Sequence, residues 1–208
     1  TPAGVANRKI VLKTGTNYHC DPRPCQTQKL SPPPDFQISR VRGDVAINGF
    51  REKAVGGLIA AATRSNYNSP ARITDVDLKV SISSCSGYSG GLIGEAVGAI
   101  HVSHAKVSGS VSGKGDVGGI FGFFGQNEAK RASHPRIVGL TDIVVNDMTI
   151  RGSNAVGSVF GVWSFWNQAA HNTEFRNVYS HAVVDCASLS EKCGFLGGVL
   201  DYSYRHSS

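Results

Sequence analysis

Five stretches of this chain alternate apolar and polar residues at a period near two. They read FQISRVRGDVAI from Phe36, RITDVDLKVSI from Arg72, IHVSHAKVSGSV from Ile100, GLTDIVVNDMTI from Gly139 and FRNVYSHAVVD from Phe175. That alternation predicts half-buried strands. Each stretch is followed by a short glycine-hydrophobic signature: VGGLIA at Val55–Ala60, SGGLIG at Ser89–Gly94, VGGIFG at Val117–Gly122, VGSVFG at Val156–Gly161 and LGGVLD at Leu196–Asp201. The first glycines fall at 56, 90, 118, 157 and 197, giving spacings of 34, 28, 39 and 40. A period in that range marks stacked repeats. Consecutive glycines remove side chains where the backbone must turn or approach a neighbour. The hydrophobic pair behind them supplies a further strand. No stretch carries a helical period with caps, and residues 126–136 and 167–174 are polar enough to be loops or short turns.

Short strands recurring every 30 to 40 residues predict an all-β chain, a short parallel β-solenoid (β-helix) of about five coils, each stacked about 4.8 Å above the last. A β-sandwich would accommodate the strands but not the recurring signature. Residues 1–36 lie outside the repeat. They hold a short apolar run at Lys9–Lys13, a cysteine loop and the segment Ser31-Pro32-Pro33-Pro34, whose prolines impose an extended conformation poor in hydrogen bonds. This region reads as an N-terminal cap that hides the first sheet edge, and residues 37–208 as the solenoid domain.

The GGLIG/GGIFG core, preceded by an apolar-x-x-apolar strand, resembles the GLUG-type repeat of bacterial surface and secreted proteins. Its nearest match is Val107-Ser108-Gly109-Ser110-Val111-Ser112-Gly113 followed by Val117–Gly122. Cys85 occupies a small-residue position where that repeat often carries cysteine. The resemblance covers about residues 38–201 and departs at Ser158, which replaces a glycine, and at the 186–193 insertion. It implies a scaffold of adhesin-like proteins, with no particular chemistry.

Composition narrows the function classes. The net charge is +6, but Lys and Arg are scattered, with short clusters only at Arg40–Arg42 and Lys130-Arg131. Phosphate tracking needs clustered charge with interleaved aromatics, so nucleic acid is not the expected partner. There is no apolar run of membrane-spanning length. The Thr1-Pro2-Ala3-Gly4 start reads like a mature terminus. Of the five cysteines, Cys20 and Cys25 are close together, Cys186 and Cys193 bracket a short segment, and Cys85 stands alone. Spacing alone leaves the pairing open. The favoured arrangement is Cys20–Cys25 and Cys186–Cys193, each closing a small loop, with Cys85 free. That arrangement suits an oxidising compartment. The spacings do not match a zinc knuckle, and no metal or cofactor is expected.

Aligning the repeats stacks Arg40, Asp75, His104, Asp142 and Asn177 in one polar column. Such a column reads either as a ladder of turn-capping side chains or as a site in which carboxylates and an imidazole share a proton or an ion. Asp75 and Asp77 share one strand face, with Arg72 and Lys79 nearby, while His101 and His104, three apart, are expected on opposite faces. The aromatic residues concentrate behind the last three signatures: Phe123, Phe124, Trp163, Phe165, Trp166, Tyr202 and Tyr204. They either line one edge of the array as a binding platform or fill its interior. The chain is therefore expected to be a secreted or surface-exposed recognition or adhesion module, without catalysis, that binds a glycan or cell-surface protein through that edge, with a larger parent chain or a translocator as a further candidate partner. The alternatives are a polysaccharide-active enzyme using Asp75, Asp77 or Asp142, and a stalk or passenger fragment with no ligand of its own.

Overall fold

The computed structural model describes residues 36–50, 53–64, 70–125, 138–166, 173–186, 192–194 and 197–203. Its elements are all strands, three to each repeat. The first repeat holds β1 (Gln37–Phe50), β2 (Ala54–Gly56) and β3 (Ile59–Arg64). The second holds β4 (Ala71–Ser84), β5 (Tyr88–Gly90) and β6 (Ile93–Gly98). The third holds β7 (Ile100–Ser112), β8 (Asp116–Gly118) and β9 (Phe121–Gly125). The fourth holds β10 (Val138–Gly152), β11 (Ala155–Gly157) and β12 (Phe160–Trp166). The last holds β13 (Thr173–Cys186), β14 (Lys192–Gly194) and β15 (Gly197–Ser203).

Like strands of successive repeats pair in parallel, so the chain forms a β-solenoid of three sheets. The long strands stack in the order β1-β4-β7-β10-β13, the three-residue strands as β14-β11-β8-β5-β2, and the remaining strands as β15-β12-β9-β6-β3. The predicted cap at residues 1–36 lies outside the described residues apart from Phe36.

Register carries like residues onto like. The inward positions of the long sheet form columns such as Ile38–Ile73–Val102–Leu140–Phe175 and Val41–Val76–Ala105–Ile143–Val178. In β4 the buried and exposed residues alternate almost without a break. The exception is informative. Ile73 and Val76 are both buried although three residues apart, because Asp75 between them has a φ of 55°. A left-handed residue takes up one step and resets the side-chain phase. The same happens at Arg40, His104, Asp142 and Asn177, with φ between 52° and 58°. The polar column is thus a ladder of backbone bends, repeated at the same height in all five long strands. One further left-handed residue other than glycine, Asp147 (φ 49°), is an extra residue in β10 that neither β7 nor β13 matches.

The glycine signature forms the tight corner between the second and third sheets. Its turns hydrogen-bond to one another along the stack: Gly91 N–H donates to Gly118 O (3.1 Å), and Leu92 N–H to Ile120 O (3.1 Å). A side chain has no room at Gly91 or Gly119: a Cβ on Gly91 would collide with the Gly119 carbonyl, and one on Gly119 with the Ser158 carbonyl. Ser158, in the same column one repeat on, is fully buried, and the register holds there, since Phe121 still pairs with Phe160.

The last signature is corrected. Gly157 pairs with Gly194, and Phe160 with Gly197, so the fifth corner begins at Cys193-Gly194, three residues before the expected Gly197. A Cβ at Gly194 would strike the carbonyl of Gly197, three residues on, as one at Gly90 would strike that of Ile93. The Gly197-Gly198 pair imitates the motif without occupying its corner. Cys193 stands in register with Val156 and is bonded to Cys186 at the end of β13. The disulfide thus clips the long sheet to the short one at this corner. Cys85 is free and exposed; Cys20 and Cys25 lie outside the described residues.

Candidate recognition surface

The corner sends alternate residues of the third sheet inward and outward, and this sorts the aromatic residues. Phe124 is fully buried and Trp163 is 8% exposed. Phe124, Phe160 and Trp163 pack as a cluster, with Phe124 and Trp163 edge-to-face at 6.2 Å and Phe160 and Trp163 at 5.0 Å. Phe121 stacks on Phe160 at 5.6 Å. Of the residues expected at a binding edge, Phe124 and Trp163 instead fill the interior, each three residues after a buried ring of the corner, Phe121 and Phe160, and packed against it. Phe165, Trp166 and Tyr202 lie in strands, with Phe165 in register with Tyr202, but their side chains fall outside the described residues, as does Tyr204 altogether.

Phe123 faces outward and is half-buried. It is one residue past the last glycine of its signature, in register with Ala61-equivalent positions: Ala61 pairs with Glu95, Glu95 with Phe123, and Phe123 with Val162. Its ring lies 4.8 Å from that of Tyr88, tilted by 33°. Tyr88 begins the three-residue strand one sheet over. Lys53 sits 5.5 Å from the Tyr88 ring centroid and donates to Glu95 Oε1 at 2.7 Å. Four side chains from three repeats therefore converge: two aromatic rings, an ammonium and a carboxylate.

Their electrostatics are consistent with that arrangement. Burial pushes the Tyr88 hydroxyl above its ordinary range, opposed by the Lys53 charge and assisted by Glu95 and Asp116. It stays protonated and able to donate. The hydrogen bond to Glu95 raises Lys53, against a smaller desolvation effect, so the ammonium persists. Adjoining Tyr88 in register is Asp116, whose carboxyl is raised by burial, while bonds from Asn154 and the Ala155 N–H pull the other way. Apolar ring faces beside fixed donors and acceptors suit a sugar ring or a protein hot spot.

Tyr88, Lys53 and Glu95 escaped the sequence reading. The signal for Glu95 was present, since aligning the signatures places it level with Phe123. Nothing local marked Tyr88 or Lys53, which reach Phe123 only through stacking.

The polar column has a different character. Asn177 Nδ2 donates to Asp142 Oδ1 at 2.7 Å, and His104 Nε2 lies 3.3 Å from Asp142 Oδ2. Asp142 is thus held from both sides, as a bend-stabilising ladder requires. Asp77 is exposed between Arg42 and Lys106 of the neighbouring strands. Among the described residues no group of three metal-binding side chains converges. His101 and His104 were expected on opposite faces. The left-handed backbone at His104 breaks the two-residue period, so both lie on the outer side of the sheet. His101 folds over Gly139, where a Cβ would meet its ring. Desolvation there lowers its pKa, with Arg72 adding to the effect and Glu174 opposing it.

No family model, curated protein or solved structure matches the chain. Among the described residues no helix is long and apolar enough to cross a membrane.

Proposed function

We propose that the protein is a secreted or surface-exposed recognition module: a GLUG-like solenoid of five coils that binds a glycan or a cell-surface protein. The observation that carries this reading is the outward convergence of Phe123, Tyr88, Lys53 and Glu95 on a scaffold whose other described aromatic rings largely serve the core. Stacked repeats hold such side chains on a rigid surface, which lowers the ordering cost of binding. The Cys186–Cys193 disulfide supports an oxidising compartment.

Binding of Tyr88→Ala/Phe123→Ala to glycan arrays and to cells tests the assignment. Both positions are partly exposed, so the variant should keep its fold and lose the binding seen with the unmodified chain. Undiminished binding by the folded double variant would remove this surface as the site.

A further inference from the structure

Among the described residues nothing pairs with the outer edges of β13, β14 and β15, nor with those of β1, β2 and β3. Inward residues that are buried in β4 and β10 are only partly buried at the two ends: Val41, Val45 and Ile47 in β1, and Val178, Ala182 and Val184 in β13. Edge strands normally block further pairing with proline, a bulge or an inward-pointing charge. Neither β1 nor β13 has a proline or a charge at these inward positions, and the one irregularity of β1, at Gly49, lies beyond them.

The two edges also match each other. Each strand has 14 residues, and each carries its left-handed residue two positions after its first inward apolar residue, Arg40 after Ile38 in β1 and Asn177 after Phe175 in β13. Extending the register of the long sheet by one step sets Asn177 beside Arg40, Val178 beside Val41, Ala182 beside Val45 and Val184 beside Ile47, with no bulge needed. On the outer face, the same step sets Tyr179 beside Arg42 and His181 beside Asp44. The first juxtaposition is a cation over an aromatic ring, and the second a hydrogen-bonding pair that protonation strengthens. The other two sheets continue as well, with Gly194 level with Gly56 and Gly197 level with Ile59.

We propose that the β13 end of one molecule receives the β1 end of a second copy, head to tail, so that all three sheets run on across the junction. The contact joins two different surfaces and does not close on itself, so it builds open-ended rods. It requires the β1 and β13 edges to be free, so the second copy takes the place that the sequence assigns to an edge-hiding cap at residues 1–36, and it is independent of the Tyr88–Phe123 surface.

Sedimentation velocity of the full chain over a dilution series tests it. The unmodified chain should gain mass with concentration and sediment as elongated particles. Val45→Lys and Ala182→Lys each place a charge at one end and should be monomeric alone. Mixed together, they retain one good end of each kind and should form a one-to-one dimer that grows no further. A concentration-independent monomer for the unmodified chain, or association that survives in either variant alone, overturns the proposal. If circular dichroism shows that a lysine variant has not folded, Arg42→Ala/Asp44→Ala, at exposed positions, replaces it. It should weaken association by about tenfold, and unchanged association would also overturn the proposal.

Discussion

The interior of the third sheet differs between its two halves. In the first two repeats the inward column carries Ala62 and Ala96; in the next two it carries Phe124 and Trp163. The adjacent column changes in step, from Ile59 and Ile93 to Phe121 and Phe160. Both halves use the same glycine corner and the same parallel register. The register of the walls is therefore set by the backbone, while the filling of the interior is left to side-chain size. The aliphatic half is lined by alanine and isoleucine in these columns, and the aromatic half by a ring cluster that reaches across to Phe175 of the long sheet, 4.7 Å from Trp163.

Phe124→Ala should test the aromatic half most severely. It removes a fully buried ring that contacts Phe121, Phe160 and Trp163, and a loss of about 3–5 kcal/mol is expected in chemical denaturation. The converse change, Ala96→Phe, forces a ring into the aliphatic half at a position with no exposure. Overpacking should cost about 1–3 kcal/mol. An Ala96→Phe variant as stable as the unmodified chain would mean that the aliphatic half has spare volume and that the comparison is one of sequence only.

Acid should separate the halves more gently. His101 seals the junction between β7 and β10, and burial lowers its pKa below the ordinary 6.5. The unfolded chain then takes up the proton first as pH falls. The stabilisation is present above about pH 6.5 and is lost as pH drops towards the depressed folded value. Stability measured against pH should decline through that window, and His101→Gln should flatten the decline. The smallest effect is expected from Arg151→Ala. It removes an ion pair with Asp185 (2.6 Å) in the aromatic half, but both groups are exposed, so about 0–1 kcal/mol should be lost, and less at high salt.

Much of the fold was legible because it repeats. The glycine signatures marked four of the five corners, and the apolar-x-x-apolar spacing at Ile73–Val76 and Leu140–Ile143 already encoded the left-handed residues between them. The fifth corner misled because Gly197-Gly198 resembles the motif, whereas the constraint is a carbonyl three residues on, which only the stacked backbone reveals. The aromatic edge was partly legible. Alternation along β9 separates Phe123 from Phe124, but which of the two faces outward depends on the phase set at the preceding corner. Tyr88 and Lys53 were illegible for a simpler reason. They join Phe123 through register between repeats, and a single sequence does not state how far one repeat is offset from the next.

Asp147 shows how such an array can change length. A residue gained within a strand would ordinarily turn every later side chain to the wrong face. In β10 the extra residue adopts the left-handed conformation instead, and Met148 and Ile150 still point inward beside Gly109 and Val111. His181 of the next strand lies 3.2 Å from its carboxylate. The fold thus has a local means of absorbing insertions and deletions, and its repeats are free to drift apart in length over evolutionary time while their cores remain aligned.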